Sequence, residues 1–428
     1  MEAKKLMRKL TVLASLLLLL PAVSQAKSLE DLLVEKGVIT KSEARGAHHE
    51  GGAKVYWRNG SRLDFADTGF STSIYTKFQT RYTFTDVDND VAPGASNVSG
   101  FSVQTARLGV AGSVLHEEFE YNVEFELGRG EPGLNNGGAT LLDAYMTWNA
   151  CDWGGVQMGQ FRPDISRGFS TRVENLQFAD RSVVSDFYSI QRNQGVRADV
   201  ALNDDWQFAA ALFNGNSTNE GLNGNGTDNN HLMVVSLRGN LMGDMDPFVE
   251  GDIGNTEDMA VNVGVAAGFG ENELAFVGAT VDEFVLSADL NVKQGGMSFH
   301  AEYFTLEHDL GGGADLSSDG FYAQLGYFLE PKEWELALRY GYIDCDNGAA
   351  IGNDIQGGLG NSVNVCNDGT AVADDVNEVN LGLNYYWWKN HMKAQLGYSM
   401  LDKDLAAPIN GEDDEIETRW ILQLSSYF

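Results

Sequence analysis

The sequence predicts an all-β chain closed into a transmembrane antiparallel barrel. Three observations carry this expectation. The chain opens on a removable leader with no long apolar helix after it, it alternates apolar and polar residues along most of its length, and its last strand ends on an aromatic residue. Successive side chains of a strand point to opposite faces, so alternation of period two builds one apolar and one polar wall.

The leader comes first. Lys4, Lys5, Arg8 and Lys9 precede the apolar run LTVLASLLLLLP, and Ser24 and Ala26 supply the small residues of a cleavage site. This pattern predicts a secretory signal peptide over residues 1–26, with Lys27 the first mature residue. A membrane anchor fits less well, since a spanning helix needs roughly 20 apolar residues. Next, SLEDLLVEKGVITKSEA reads as a brief helix with Leu29, Leu32 and Leu33 on one side. Gly37 stops it, and Thr40 with Glu43 starts a second turn as a capping box.

Alternation dominates after residue 68. In EEFEYNVEFEL, Phe119, Tyr121, Val123, Phe125 and Leu127 share one face, while Glu118, Glu120, Glu124 and Glu126 share the other. Phe70, Ile74, Phe78, Tyr82 and Phe84 form a similar row, as do Trp334, Leu336, Leu338, Tyr340 and Tyr342. The segment from Val379 to Met400 reads as a hairpin turning at Lys389-Asn390. About eighteen such windows can be counted, and those near 244–253 and 272–280 are the weakest. Pro93, Pro132, Pro163, Pro247, Pro331 and Pro408 are expected between strands, where no ladder bond is lost. Tight connections (203–205, 389–390) alternate with long polar ones (85–100, 214–230, 309–319, 343–376), which predicts short turns at one end and variable loops at the other.

So many two-faced strands, with almost no helical period, leave a soluble fold nothing to bury its apolar walls against. In hydrocarbon every backbone group must be paired internally, and a closed barrel of strands of about 9–11 residues does that. Trp148, Trp153, Tyr385, Tyr386, Trp387 and Trp388 near strand ends suit an interfacial belt. TRWILQLSSYF closes the chain with Trp420, Leu422, Leu424 and Phe428 on one face, interrupted by Ser426. The apolar walls are therefore expected to face lipid, in the cell outer membrane.

Without the leader, 29 − 4 basic and 61 − 1 acidic residues leave a formal net charge of −35. Such acidity excludes a general nucleic-acid partner. Cys345 and Cys366 flank one Gly/Asn/Asp-rich segment and could close a loop; spacing alone leaves that open, and Cys151 has no obvious partner. An outer-membrane hydrolase needs a placed Ser, His and acid. His48, His49, His116, His231, His300, His308 and His391 carry no nucleophile motif beside them, so no enzyme, cofactor or metal site is expected. A non-conducting adhesin or structural barrel remains an alternative. DVDND, GEDDEIE and VADDVNE could hold divalent cations bridging to lipopolysaccharide, but they match no defined calcium loop and read as solvated.

In detail the chain resembles the phosphate-selective porins O and P from about residue 28 to the end. The resemblance lies in VQMGQFRPD (156–164), RNQGVRADV (192–200), FAAALFNG (208–215), FYAQLGYFL, WELALRYGYID and VNLGLNYYW, in that order. It implies a short periplasmic N-terminal segment (27–60) and a sixteen-stranded barrel (61–428) with a third loop, about 162–190, folded inward. It also implies a homotrimer passing phosphate or related anions. Gln104 and Thr105 stand where the family carries consecutive basic residues before Arg107.

From 160 to 197 there are six arginines and no lysine: Arg162, Arg167, Arg172, Arg181, Arg192 and Arg197. A guanidinium keeps its charge and donates two parallel bonds to an oxyanion, and basic rings at a constriction select anions. By resemblance, Arg167, Ser170, Thr171 and Arg172 line the eyelet. The arginines could instead pair with Glu174, Asp180, Asp186 and Asp199 and pin the loop to the wall, and both readings stay open. Glu120, Glu124 and Glu126 on the lumen side keep a general or cation-preferring pore as the second reading.

Overall fold

A computed structural model of the protein describes residues 53–57, 60–65, 69–87, 97–128, 139–214, 231–274, 279–309, 315–345, 365–366 and 372–428. The expected leader and the short helices before residue 51 lie outside the described residues.

Two short strands, β1 (Ala53–Trp57) and β2 (Ser61–Phe65), form a hairpin, and β2 pairs with the first residues of the next strand. The barrel starts with β3 (Phe70–Val87), β4 (Val98–Val114), β5 (Phe119–Glu126), β6 (Thr140–Cys151), β7 (Gly154–Phe161) and β8 (Asn193–Ala201). It continues with β9 (Trp206–Phe213), β10 (Leu232–Met242), β11 (Ala260–Leu274), β12 (Ala279–Gln294) and β13 (Met297–Asp309). It ends with β14 (Asp315–Glu330), β15 (Trp334–Asp344), β16 (Ala373–Trp388), β17 (Met392–Ile409) and β18 (Glu412–Tyr427). Each pairs antiparallel with the next, and β18 returns to β3 with Trp420 opposite Phe84. The ring of sixteen strands closes completely, so no edge is left in lipid. Thr76 and the terminal Phe428 exchange two backbone hydrogen bonds of 2.8 and 3.0 Å, seating the chain end in the wall.

Burial is inverted relative to a soluble fold. Ile74, Phe78, Leu108, Phe125, Leu338, Leu381 and Leu424 are exposed on the outer surface. Lys77, Arg107, Glu124, Asp289, Glu302, Arg339 and Lys393 are buried on the inside. The strand Phe119–Glu126 thus turns its apolar wall to lipid and its glutamates to the lumen. Aromatic pairs bound the band: Trp57–Trp388 (4.8 Å) and Trp334–Tyr385 (4.6 Å) at the turn end, Tyr82–Phe101 (4.9 Å) and Tyr398–Trp420 (5.0 Å) at the loop end. Beyond the second belt Asp319, Asp344, Asp375, Asp404 and Asp414 are cross-strand neighbours, a register compatible only with water.

Three details differ from the expected pattern. Pro408 lies inside β17, where a register shift between Asp404 and Ile409 spares the ladder its missing donor. The 272–280 window holds the ends of β11 and β12. The sorting of connections by length has exceptions: at the loop end 275–278, 310–314 (in place of the long connection expected over 309–319) and the turn at Asn410-Gly411 are short, and at the turn end residues 243–259 are long. Residues 244–253 form no strand; they fold up into the lumen, where Glu250 and Asp252 are buried.

Candidate functional site

The lumen is shaped by the connection between β7 and β8, residues 162–192, which folds inward. Its first turn, α1 (Arg167–Ser170), is capped by Ser166, whose hydroxyl accepts from the Phe169 N–H at 3.1 Å. Glu302 on β13 takes up the other free donors of that helix end. It accepts from the Arg167 N–H (2.5 Å), the Gly168 N–H (3.2 Å), the Ser166 hydroxyl (2.8 Å) and the Tyr322 phenol (2.8 Å). The loop then passes through a 3₁₀ turn at Val173–Asn175, where Lys393 donates to the Glu174 carbonyl at 3.0 Å. Gln177 is held by the Glu335 carboxylate (2.6 Å) and by Asn384, which donates to its carbonyl (2.7 Å). Arg81 grips Asp180 at 2.8 Å, and Arg339 donates to the Arg181 carbonyl at 3.0 Å.

The second half of the loop is apolar. The helix α2 (Val183–Tyr188) is capped by Ser182, which also donates to Glu378 at 2.7 Å. Ile165, Val184, Phe187, Tyr188 and Ile190 pack on Val285, Phe304, Leu306, Ile343 and Val376 of the wall. Glycine permits the close approach at two wall positions: a Cβ at Gly320 would collide with the Tyr188 ring, and one at Gly326 with the Gln177 amide. Cys345 and Cys366 form a disulfide, and both sulfurs join this apolar cluster.

The 243–259 segment meets the loop from the other side. Glu250 accepts from the Gln177 N–H at 2.7 Å, and the Asn175 amide donates to the Phe248 carbonyl at 3.0 Å. Together they fill the part of the lumen along β11–β15. What remains open is an outer vestibule and an inner vestibule of about 850 Å³ each, and Arg107 lines both.

The expected site residues separate into two groups. Arg167 is wholly buried, with its guanidinium on Asp289 and on the amide oxygen of Asn291, and the Thr171 hydroxyl donates back to the Arg167 carbonyl at 3.0 Å. Arg192 pairs with Asp143 (2.8 Å), Arg197 with Asp199 (2.7 Å), and Arg107 with Glu126 (2.8 Å) and Glu124 (3.3 Å). Arg162 donates to the Phe169 carbonyl at 2.6 Å and Arg181 to the Thr171 carbonyl at 2.6 Å, their guanidiniums 4.5 and 5.4 Å from the Phe169 ring centroid. Ser170 and Arg172 face the inner vestibule instead. Arg172 is exposed there and makes no hydrogen bond or ion pair among the described residues.

Charge compensation is the rule throughout. Burial pushes the Asp180 carboxyl up, but Arg81 beside it outweighs burial and holds it below the usual range; Arg238 and Arg197 do the same for Asp164. For Arg172 burial works downward and Glu174 upward, and the net effect is a guanidinium still more firmly charged. Lys77 sits between Glu124 (2.9 Å) and Glu174 (3.4 Å). Glu124 and Glu126 are thus neutralised where they stand.

Several residues of this arrangement were not singled out by the sequence. Arg81, Arg238, Lys77 and Lys393 are isolated bases on inward strand positions, and Asp289 and Glu302 become anchors only once the loop reaches them. Their one sequence signal is a charge on the polar side of an alternating window.

Among solved structures, the outer-membrane channel DcaP of Acinetobacter baumannii superposes with a TM-score of 0.54 at 13% identity, covering 84% of this chain and 98% of that one. The anion-selective porin from Comamonas acidovorans gives 0.54 at 11% identity, covering 83% and 99%. OmpT of Vibrio cholerae in its trimer form gives 0.51 at 14%, covering 84% and 99%. At these identities the likeness concerns the fold. A comparison with curated protein sequences yields no significant match. The model of one family, phosphate-selective porin O and P, matches residues 74–424, nearly the whole barrel, and the chain belongs to that family of outer-membrane porins.

Proposed function

We propose that this porin is a passive diffusion channel for small anions, with phosphate and related oxyanions as the first solutes to test. The observation that carries the reading is Arg172, a fully charged guanidinium set in the inner vestibule without a bound carboxylate. The flanking hydroxyl of Ser170 can replace part of an anion's water shell. Arg107 lines both vestibules, while Arg192 and Arg197 are offset by Asp143 and Asp199 and Arg162 and Arg181 hold backbone carbonyls, which leaves Arg172 as the group that favours an anion. Arg167 and Thr171 serve this reading by holding the loop in place.

A cation-preferring pore is the second reading. It is favoured by the match between basic and acidic side chains along both vestibules and by the acidic outer row from Asp319 to Asp414. Reversal potentials across a planar bilayer in a potassium chloride gradient separate the two. A potential of the sign set by chloride supports anion passage, and the opposite sign overturns it. The family and the trimer form of OmpT lead us to propose three copies per assembly; chemical cross-linking in detergent should then trap a trimer, and a monomer alone would refute it.

A further inference from the structure

Among the described residues, every basic side chain lining the two vestibules is already committed, except one. Arg81, Arg339 and Arg419 are bound to Asp180, Glu378 and Glu417 in the outer vestibule, and Arg181 is spent on backbone carbonyls. In the inner vestibule Lys77, Arg107, Arg192, Arg197 and Arg238 each lie within 3.3 Å of a carboxylate oxygen, and Arg162 holds a carbonyl. Arg172 is left. Its charge is sensed by the phenols of Tyr145, Tyr75 and Tyr427, and Glu174 partly offsets it.

That inventory sets the charge of a fitting solute. A guanidinium matches one carboxylate with two parallel bonds. A phosphate dianion would spend one charge there and carry the second into a lumen whose other bases are occupied, and an unpaired charge is costly to desolvate. The vestibule is also too large for a bare oxyanion. Its volume of about 850 Å³ falls in the range that encloses an organic molecule. The half-buried rings of Tyr145 and Phe248 line the same vestibule as Arg172, and the hydroxyls of Tyr145 and Ser170 make no side-chain hydrogen bond among the described residues.

We infer that Arg172 and the aromatic walls of the inner vestibule form a subsite for singly charged organic carboxylates with an apolar or aromatic body, taken in preference to inorganic phosphate. The carboxylate lies in the fork of Arg172 with Ser170 and Tyr145 as further donors. The body rests against Tyr145 and Phe248. This inference rests on Arg172 being an anion-recognition point, as proposed above.

The test uses the full chain in a planar bilayer, with benzoate, acetate and inorganic phosphate as blockers of potassium chloride current at mildly alkaline pH, where phosphate is chiefly the dianion. Benzoate should block at a concentration at least about tenfold below that of phosphate, with acetate intermediate because it lacks the ring. Arg172→Gln should weaken benzoate block about tenfold or more, and Arg172→Lys, which keeps the charge but not the fork, should retain part of it. Phosphate block equal to or stronger than benzoate block overturns the inference while leaving anion passage intact. So does benzoate block unchanged in Arg172→Gln. A cation-signed reversal potential together with Arg172-dependent benzoate block has the opposite meaning: the subsite stands and the proposed anion permeation fails. If Arg172→Gln does not fold, Arg172→Lys and the unaltered chain's benzoate-to-phosphate ratio decide.

Discussion

The backbone N–H of Gln177, midway along the inward-folded loop, donates to Glu250 Oε2 at 2.7 Å, and Glu250 belongs to a segment entering from the opposite end of the barrel. The return bond runs from the Glu250 N–H to the Asn175 carbonyl at 3.2 Å. Connections from the two ends of the barrel therefore hold each other inside it, in addition to their own contacts with the wall.

Breaking that junction should loosen the constriction. Glu250→Ala removes a charge-assisted bond worth about 1.5–3 kcal/mol and leaves the Gln177 donor buried. Single-channel conductance should rise and become noisier, and limited proteolysis should begin to cut within 162–192. Conductance and cleavage identical to the unaltered protein would show that the wall contacts alone hold the loop.

Arg167 and Arg172 are neighbours in sequence with opposite duties. Arg167→Met takes the nearer of two guanidiniums from the buried Asp289 carboxylate, leaving Arg238 at 3.6 Å, and should cost about 3 kcal/mol, read as a lower unfolding temperature of the detergent-solubilised barrel. Arg172→Gln touches no bound partner and should change stability by about 0.5 kcal/mol at most. Equal losses from the two would contradict this division.

On the proposed anion route, the glutamates beside Arg107, which lines both vestibules, should restrain passage. Glu124→Gln with Glu126→Gln leaves Lys77 and Arg107 without their nearest carboxylates. Reversal potentials should move toward the chloride limit, most at low ionic strength where screening is weak. A shift toward the potassium limit would mean that these bases do not face the conduction path.

Acid should release the Asp180 and Asp164 anchors only at low pH. Asp180 and Asp164 are both held below the usual 3.8, so their ion pairs with Arg81 and Arg238 contribute fully above that value and are lost as pH falls through the lowered ones. Conductance at fixed salt should therefore be flat from about pH 9 to about pH 5 as far as these two anchors are concerned, with loop protection lost below about pH 4. Loss of protection near neutrality would place the sensitive anchor elsewhere.

The Cys345–Cys366 bridge closes a loop with a sequence separation of 21. On chain-entropy grounds such a closure contributes about 3 kcal/mol. Cys345→Ser with Cys366→Ser should lower the unfolding temperature by several degrees with the reversal potential unchanged, measured by thermal melting and in bilayers. A change of ion preference would instead make this connection part of the pore.

The sequence by itself determined the barrel, because a strand with Phe119, Val123 and Phe125 on one face and Glu120, Glu124 and Glu126 on the other can satisfy both walls only between lipid and water. The local rule of period two is enough to place a side chain inside or outside, so Lys77, Arg107 and Glu302 could be read as lumenal from parity alone. It also marked 160–197 as an arginine-rich stretch, and it ranked the 244–253 and 272–280 windows weakest, of which the first forms no strand and the second holds strand ends. Partnership was the part it could not supply. Whether Arg167 meets an anion or Asp289 depends on groups 122 positions apart, brought together by the curvature of a closed sheet. Only the tertiary structure decided that six vestibule bases, Lys77, Arg81, Arg107, Arg192, Arg238 and Arg339, are paired with acids from other strands or the loop, that the 243–259 connection climbs inside to meet Gln177, and that Arg172 is left exposed. Ion pairing falls off over a few ångströms and follows spatial rather than chain distance, and no pattern along one strand encodes it.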